Sequence, residues 1–461
     1  MTTQDNSKNR ITHNFGRRAL LALVGALIGC ALTVILGAAP LQAAGPFVVD
    51  TTGDTADVNP GDGICADSSG DCSLRAAVME ADALAGDEVI SLPAEDYYLN
   101  DSLQVTGVDL IEIVGDGVDI TSIFGSEGVR VLDVLNGSVS LSQLTIGNAI
   151  VGGNGGLIRT DAETSLMMDR CRVEYGDAGG SGGALFIAGE ATIQRCSIVD
   201  SSAYDRGGAI AVTGSLTLID SVIGGSQAQF GGGIHNAGML TLERTTVLEN
   251  AADMGGAGLH NGAGAILVMT NSSILNNESL SGSVIPAAGL YNFGGLATVA
   301  HSTFYGNIAT SAGSTGAGLR NSIDGVISIT HSIVAGSMPQ DCVNNGTFND
   351  DGYNWVQDGA CITADTSYAG DPQLGAFNLD NGGPTPTIGP AGPTSPVVNV
   401  GDSSISAPPA NDQRGPGYPR IIGGTIDIGA LEYDEPQSIA SPQVLVVNTT
   451  DDDAPLNADD A

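Results

Sequence analysis

Apolar and polar residues through the middle of the chain follow no helical period and form no long alternating strand. They recur as a phrase: Gly182-Gly183-Ala184-Leu185, Gly207-Gly208-Ala209-Ile210, Gly231-Gly232-Gly233-Ile234, Gly256-Ala257-Gly258-Leu259, Ala287-Ala288-Gly289-Leu290 and Gly316-Ala317-Gly318-Leu319. The closing aliphatics are separated by 25, 24, 25, 31 and 29 residues. After each phrase comes a short alternating strand such as Leu216-Thr217-Leu218 or Leu240-Thr241-Leu242, and then a second one such as Ser221-Val222-Ile223 or Ser302-Thr303-Phe304. Several short strands at a fixed step cannot bury their apolar side alone, so successive repeats must stack. The pattern predicts an all-β, right-handed parallel β-helix solenoid with coils of roughly 25 residues. Glycines at the coil corners are expected to supply positive φ, Gly208 among them. The two longer steps place extra residues at 276–286 and 307–315, as loops on one face.

Stacking turns sequence columns into ladders about 4.8 Å apart. Asn236, Asn261, Asn292 and Asn321 form one, on the inner side with the aliphatics, where amides can bond from coil to coil. Cys171, Cys196, Ser221, Thr245, Ser272, Ser302 and Ser332 form another. Cys171 and Cys196, one coil apart, are within disulfide range, and buried free thiols are the alternative. Between the aliphatic and asparagine columns lie Phe186, Ala211, His235, His260, Tyr291 and Arg320. Strand alternation sends these outward, so His235, His260, Tyr291 and Arg320 are expected to form an exposed ring and guanidinium stripe that binds a ligand.

Composition agrees with a long narrow core: 66 glycines, 4% aromatic residues and one Trp do not suit several compact cores. Acids outnumber basic residues 52 to 15, and past Ala44 the chain has no lysine. Such a field disfavours nucleic acid and anionic polymers as partners and favours divalent cations. Residues 19–39 form an uncharged apolar stretch behind Arg17-Arg18, followed by small residues through Ala44. It reads as an export signal over 1–44, and an uncleaved leader is the one expected link to a membrane. Six cysteines remain beyond it, and Cys65 with Cys72 and Cys342 with Cys361 are expected to pair across short exported loops.

Ser73 reads as an N-cap for a short helix with Leu74, Ala77, Val78 and Ala81 on one face, covering the open end of the solenoid. Over 45–99, Asp62-Gly63-Ile64-Cys65 and Cys72-Ser73-Leu74-Arg75-Ala76-Ala77 resemble the CSLREA domain, the N-terminal module of many bacterial surface proteins of pectin-lyase-like fold. Position 76 is Ala where the family has Glu. After the repeats of 100–336, the segment 337–433 resembles the choice-of-anchor Q domain, through Asp371-Pro372-Gln373-Leu374-Gly375, Asp412-Gln413-Arg414-Gly415 and Asp427-Ile428-Gly429-Ala430-Leu431-Glu432. The Gly-Gly-Ala-Ile phrases are similar to repeats of chlamydial polymorphic outer-membrane proteins, which are adhesins. These resemblances imply a secreted or cell-surface protein that binds polysaccharide or another cell surface. The tail over 434–461 repeats the N-terminal module, Val446-Val447-Asn448-Thr449-Thr450-Asp451-Asp452 against Val48-Val49-Asp50-Thr51-Thr52-Gly53-Asp54, and is expected to be disordered.

Two chemical readings are open to the sequence. Asp57, Asn59 and Asp62 in a Gly-rich loop make a calcium candidate, one residue out of EF-hand register and lacking its distal Glu. A polysaccharide-active enzyme of the pectin-lyase-like class needs paired carboxylates or a carboxylate cluster with a base. The repeats supply only scattered acids, Asp205, Asp253 and Glu278, so the sequence favours a structural or adhesive role, with the enzyme as the alternative.

Overall fold

The computed structural model describes residues 46–280, 287–310, 316–378, 381–405 and 407–434. The expected leader, the repeated tail motif and much of both insertions lie outside these residues. The described chain is a parallel β-solenoid built from three sheets with twelve, ten and sixteen strands. Sheet 1 takes the five-residue strands that follow each phrase, such as Ser215–Ile219 and Met239–Glu243. Sheet 2 takes the three-residue strands that close the phrases, and sheet 3 the short strands after sheet 1. The closing aliphatics pair in unbroken register, Leu185 to Ile210, Ile234, Leu259, Leu290 and Leu319. The two longer steps therefore leave sheet 2 undisturbed, because the extra residues fall in the connections between sheets, most of them between sheets 3 and 2.

Inside, one continuous apolar core runs from Phe47 to Val356. Polar ladders line its corners. Asn236 Nδ2 donates to Asn261 Oδ1 at 2.8 Å, Asn261 to Asn292 at 2.8 Å, Asn292 to Asn321 at 2.9 Å and Asn321 to Asn344 at 2.9 Å. In the hydroxyl column most backbone N–H groups meet the next coil's side chain, as in Thr245 N to Ser272 Oγ at 3.1 Å and Ser302 N to Ser332 Oγ at 3.1 Å. Cys171 and Cys196 belong to this ladder as buried free thiols, with Cys171 N donating to Cys196 Sγ at 3.3 Å. They fill hydroxyl positions and are not bridged. Both flanking disulfides are formed, Cys65–Cys72 and Cys342–Cys361.

The corners differ from the expectation that glycine closes them. From Gln143 onward the sheet 1 to sheet 3 corner is a single left-handed residue carrying a side chain, including Arg195, Asp220, Arg244, Asn271, His301 and His331 at φ 48–53°. The cross-coil bonds of the neighbouring hydroxyl ladder hold that corner, and strain at one isolated residue is modest. Glycine occupies the corner before sheet 2, where Gly207 has φ 65°. Gly208 does not need positive φ. A Cβ there would lie 2.2 Å from Gly232 O and 2.5 Å from Gln227 N. Backbone cannot retreat inside a stacked sheet, so Gly208→Val is expected to cost about 3 kcal/mol. An unchanged melting temperature in that variant would contradict the packing described.

At the N-terminal end, the helix Leu74–Ala83 packs on the first coils, with the Ser73 side chain accepting from Ala76 N at 3.0 Å. Leu74, Ala77, Val78 and Ala81 are buried, as their spacing predicts. At the other end the segment 371–434 turns back along the outside of sheet 3 as a strap. It covers Thr246, Ser273, Thr303 and Ile333, whose counterparts earlier in the solenoid have no such cover. Gln413 bonds Ser273 Oγ and Thr246 Oγ1, and the guanidinium of Arg420 enters fully buried.

Candidate functional site

The column between the aliphatics and the asparagines points away from the core, and register pairs Ala211, His235, His260, Tyr291 and Arg320 in successive coils. Its burial corrects the expected exposed stripe: His235 and His260 are each 6% exposed and Tyr291 3%. Two flanking columns rise beside the short strands and enclose it. On one side stand Arg206 and Phe230, bridged to each other, and on the other Ala237, Ala263 and Phe293. The result is a trough along the outer face of sheet 2, with hollows of about 340 Å³ beside His235 and His260 and 310 Å³ between Tyr291 and Arg320. Phe293, 47% exposed, lines both.

The rings form a continuous array. His235 stacks on His260 at 4.9 Å and 10°, Tyr291 stands edge-on to His260 at 5.2 Å, and Phe230 meets His260 edge-on at 5.4 Å. Phe293 lies 5.7 Å from Tyr291 and 6.1 Å from His260. Burial, reinforced by the Arg206 charge, lowers His235 to about 4. Burial and the neighbouring His235 and Arg206 lower His260 to about 3. Burial raises the Tyr291 phenol, against the pull of Arg320. At neutral pH the floor is therefore uncharged and aromatic, with arginines at its ends. Beyond it the same column continues with Arg159 and Asp133, paired at 3.0 Å.

The sequence column located the floor and missed the walls. Phe230 and Arg206 occupy the position four before the closing aliphatic, and Phe293 the position after the asparagine. Reading the columns on either side of the stripe would have found them.

Asp57, Asn59 and Asp62 lie elsewhere, in the N-terminal loop. Asp57 Oδ1 accepts from Asn59 N at 2.7 Å and Oδ2 from Ala66 N at 2.9 Å, while Asp62 Oδ1 accepts from Ile64 N at 2.9 Å. Buried Glu80 accepts from Gly61 N and Gly63 N and ties the loop to the helix. Among the described residues no three carboxylate, imidazole or thiol side chains converge as a metal site. Also among them, no helix is long and apolar enough to cross a membrane.

No family model and no curated protein matches the chain. Two solved structures are similar to it. One is pectate lyase Pel9A, at 14% identity over 85% of this chain and 98% of that one, with a TM-score of 0.43. The other is the A-module of the Azotobacter vinelandii mannuronan C-5 epimerase AlgE6, at 13% identity over 66% of this chain and 99% of that one, with a TM-score of 0.30. Likenesses this distant carry no functional argument, and the parallel β-helix stands on the strand register alone.

Proposed function

We propose that this chain is an exported, surface-acting β-helical protein that holds a neutral carbohydrate along the trough of sheet 2. The observation that carries the reading is the ring array from Phe230 to Phe293. Stacked rings in a shallow, uncharged groove present apolar faces to the C–H faces of sugar rings, and the arginines supply hydroxyl-directed donors. The axis of the array follows the solenoid, so an extended glycan lies along it. A net charge of −37 disfavours uronate polymers. Two disulfides fit an oxidising, extracytoplasmic setting. The resemblance of the ends to CSLREA and choice-of-anchor Q modules supports a cell-surface role. Acid–base cleavage has less support, since Asp324 is the one carboxylate among the residues lining the trough.

The test uses exposed wall residues, because truncating the buried His260 or Tyr291 also removes packing. Phe293→Ala with Arg206→Ala is expected to weaken binding on an array of neutral and acidic glycans at least roughly tenfold, with the melting temperature nearly unchanged. Undiminished binding in the double variant would overturn the trough as the site.

A further inference from the structure

A turn of the strap, Gly401 to Ile405, lies over the ring of His331 at the corner of a late coil, so close that a Cβ on Gly401 would stand 3.1 Å from His331 Cδ2. The turn holds itself together. Asp402 Oδ1 accepts from Ser404 N at 2.9 Å and from Ser404 Oγ at 2.6 Å, and Gly401 N donates to Ile426 O at 2.8 Å, which ties the turn to the rest of the strap. To the coils it makes one hydrogen bond among the described residues, from Asp402 N to His331 Nε2 at 2.9 Å. Ile405 at its end and His301, the corner residue one coil earlier, line the same groove between strap and sheet 1.

That single bond fixes the state of the ring. Because Nε2 accepts, the proton of the neutral imidazole is on Nδ1, which donates to Thr330 Oγ1 at 2.9 Å, and Thr330 Oγ1 donates on to Gly352 O at 3.1 Å. A second proton has to enter at Nε2, where it opposes the Asp402 N–H donor to donor. The ring is stacked between His301 at 4.8 Å and Tyr353 at 5.0 Å and cannot turn aside. Burial and the Arg420 charge hold it down to about 4, against the pull of the Asp402 carboxylate. Glu432, which bonds Arg420, and Asp427, which accepts from Asn399 N, stay packed when the turn alone lifts.

We propose that the turn 401–405 is an acid-opened flap latched by His331. Local opening bares Nε2, a proton captured there forbids reclosure, and the turn swings away from the groove beside His301 while Gln413 and Arg420 keep the strap anchored. The lifted ring recovers the ordinary value of 6.5, so the latch is complete above pH 6.5 and weakens as pH falls toward 4. Between pH 7 and 5 the opening equilibrium rises roughly twentyfold.

The test is amide hydrogen exchange of the full chain at pH 7 and pH 5, corrected for the intrinsic pH dependence of exchange. Protection of the Asp402 amide should fall roughly twentyfold, while Gly429 N, which donates to His331 O, and Ile333 N, which donates to Ser302 O, keep theirs. His331→Gln offers Asp402 N an oxygen acceptor and takes up no proton, so the fall should vanish. Three results would overturn the flap: unchanged protection of Asp402 in the parent chain, a fall shared equally by Gly429 and Ile333, or the same fall in His331→Gln. The first two are read from the parent chain alone, so the proposal stays falsifiable even where the variant fails to fold.

Discussion

Replacing Arg420 by alanine is expected to release the strap from the solenoid. Its guanidinium is wholly buried and donates from Nη1 to Gly429 O at 2.9 Å and Glu432 Oε1 at 3.0 Å. From Nη2 it donates to Asn271 Oδ1 at 2.6 Å and Ala430 O at 2.7 Å. One side chain thus joins the strap's end to itself and to the corner of a solenoid coil. Burial raises the Glu432 carboxyl to about 8 and lowers Arg420, and the charge of each works against the shift of the other. Removing one partner strands the other, which costs on the order of 3–5 kcal/mol. Limited proteolysis should then cut within 371–434 while the coils stay resistant, and the melting temperature should fall. Arg420→Met combined with Glu432→Gln should recover part of the loss, because neither charge is left unpaired. Wild-type protease resistance in Arg420→Ala would show that the strap is held by other contacts.

Acidification from pH 6.5 to 5 is expected to destabilise the fold. All four described histidines are buried and held below the ordinary imidazole value of 6.5, His235 and His331 to about 4, His260 to about 3 and His301 lower still, chiefly by burial. Below pH 6.5 the unfolded chain takes up protons that the folded chain refuses. Their contribution is therefore complete above pH 6.5 and is lost as pH falls toward 4. For His235 and His260 the loss at pH 5 is about 2 kcal/mol each. Glu432 and Asp427 act in the opposite sense: their carboxyls are raised, so their contribution is present at low pH and lost as pH rises. The carboxyls of Glu88, Asp341 and Asp351 are raised as well, but of the five only Glu432 is shifted as far as the four histidines, which therefore prevail in this window. Melting temperature measured at pH 8, 6.5 and 5 should drop across the last interval, and His235→Gln with His260→Gln should flatten that drop. A flat or rising profile in the parent chain would contradict the burial of these rings.

The solenoid was legible because its determinants are local and repeated. One aliphatic per coil, one asparagine two residues later and one small hydroxyl or thiol per corner set the register, and insertions left that register intact. The trough was half legible. Alternation placed His235, His260, Tyr291 and Arg320 on the outer face, but alternation says nothing about how high neighbouring turns stand. Burial came from Phe230 and Phe293, in columns where most other coils carry small residues. The corner residues escaped detection because Arg, Asp, Asn and His share no side-chain chemistry there, only a backbone conformation. The strap was invisible to periodicity altogether: Gln413 and Arg420 lie in a loop-rich segment without repeat, and their solenoid partners Thr246 and Asn271 are more than a hundred residues away.

The most direct measurement of the central claim is calorimetric titration of the full chain with neutral oligosaccharides of increasing length, such as cello-, manno- and chito-oligosaccharides. Coils advance by about 4.8 Å, so a glycan lying along the trough gains contacts with each added sugar until it spans His235 to Arg320. The account predicts affinity that climbs over the first few sugars, then levels, and that falls in Phe293→Ala at every length. Affinity that does not depend on length, or that survives Phe293→Ala, would contradict it.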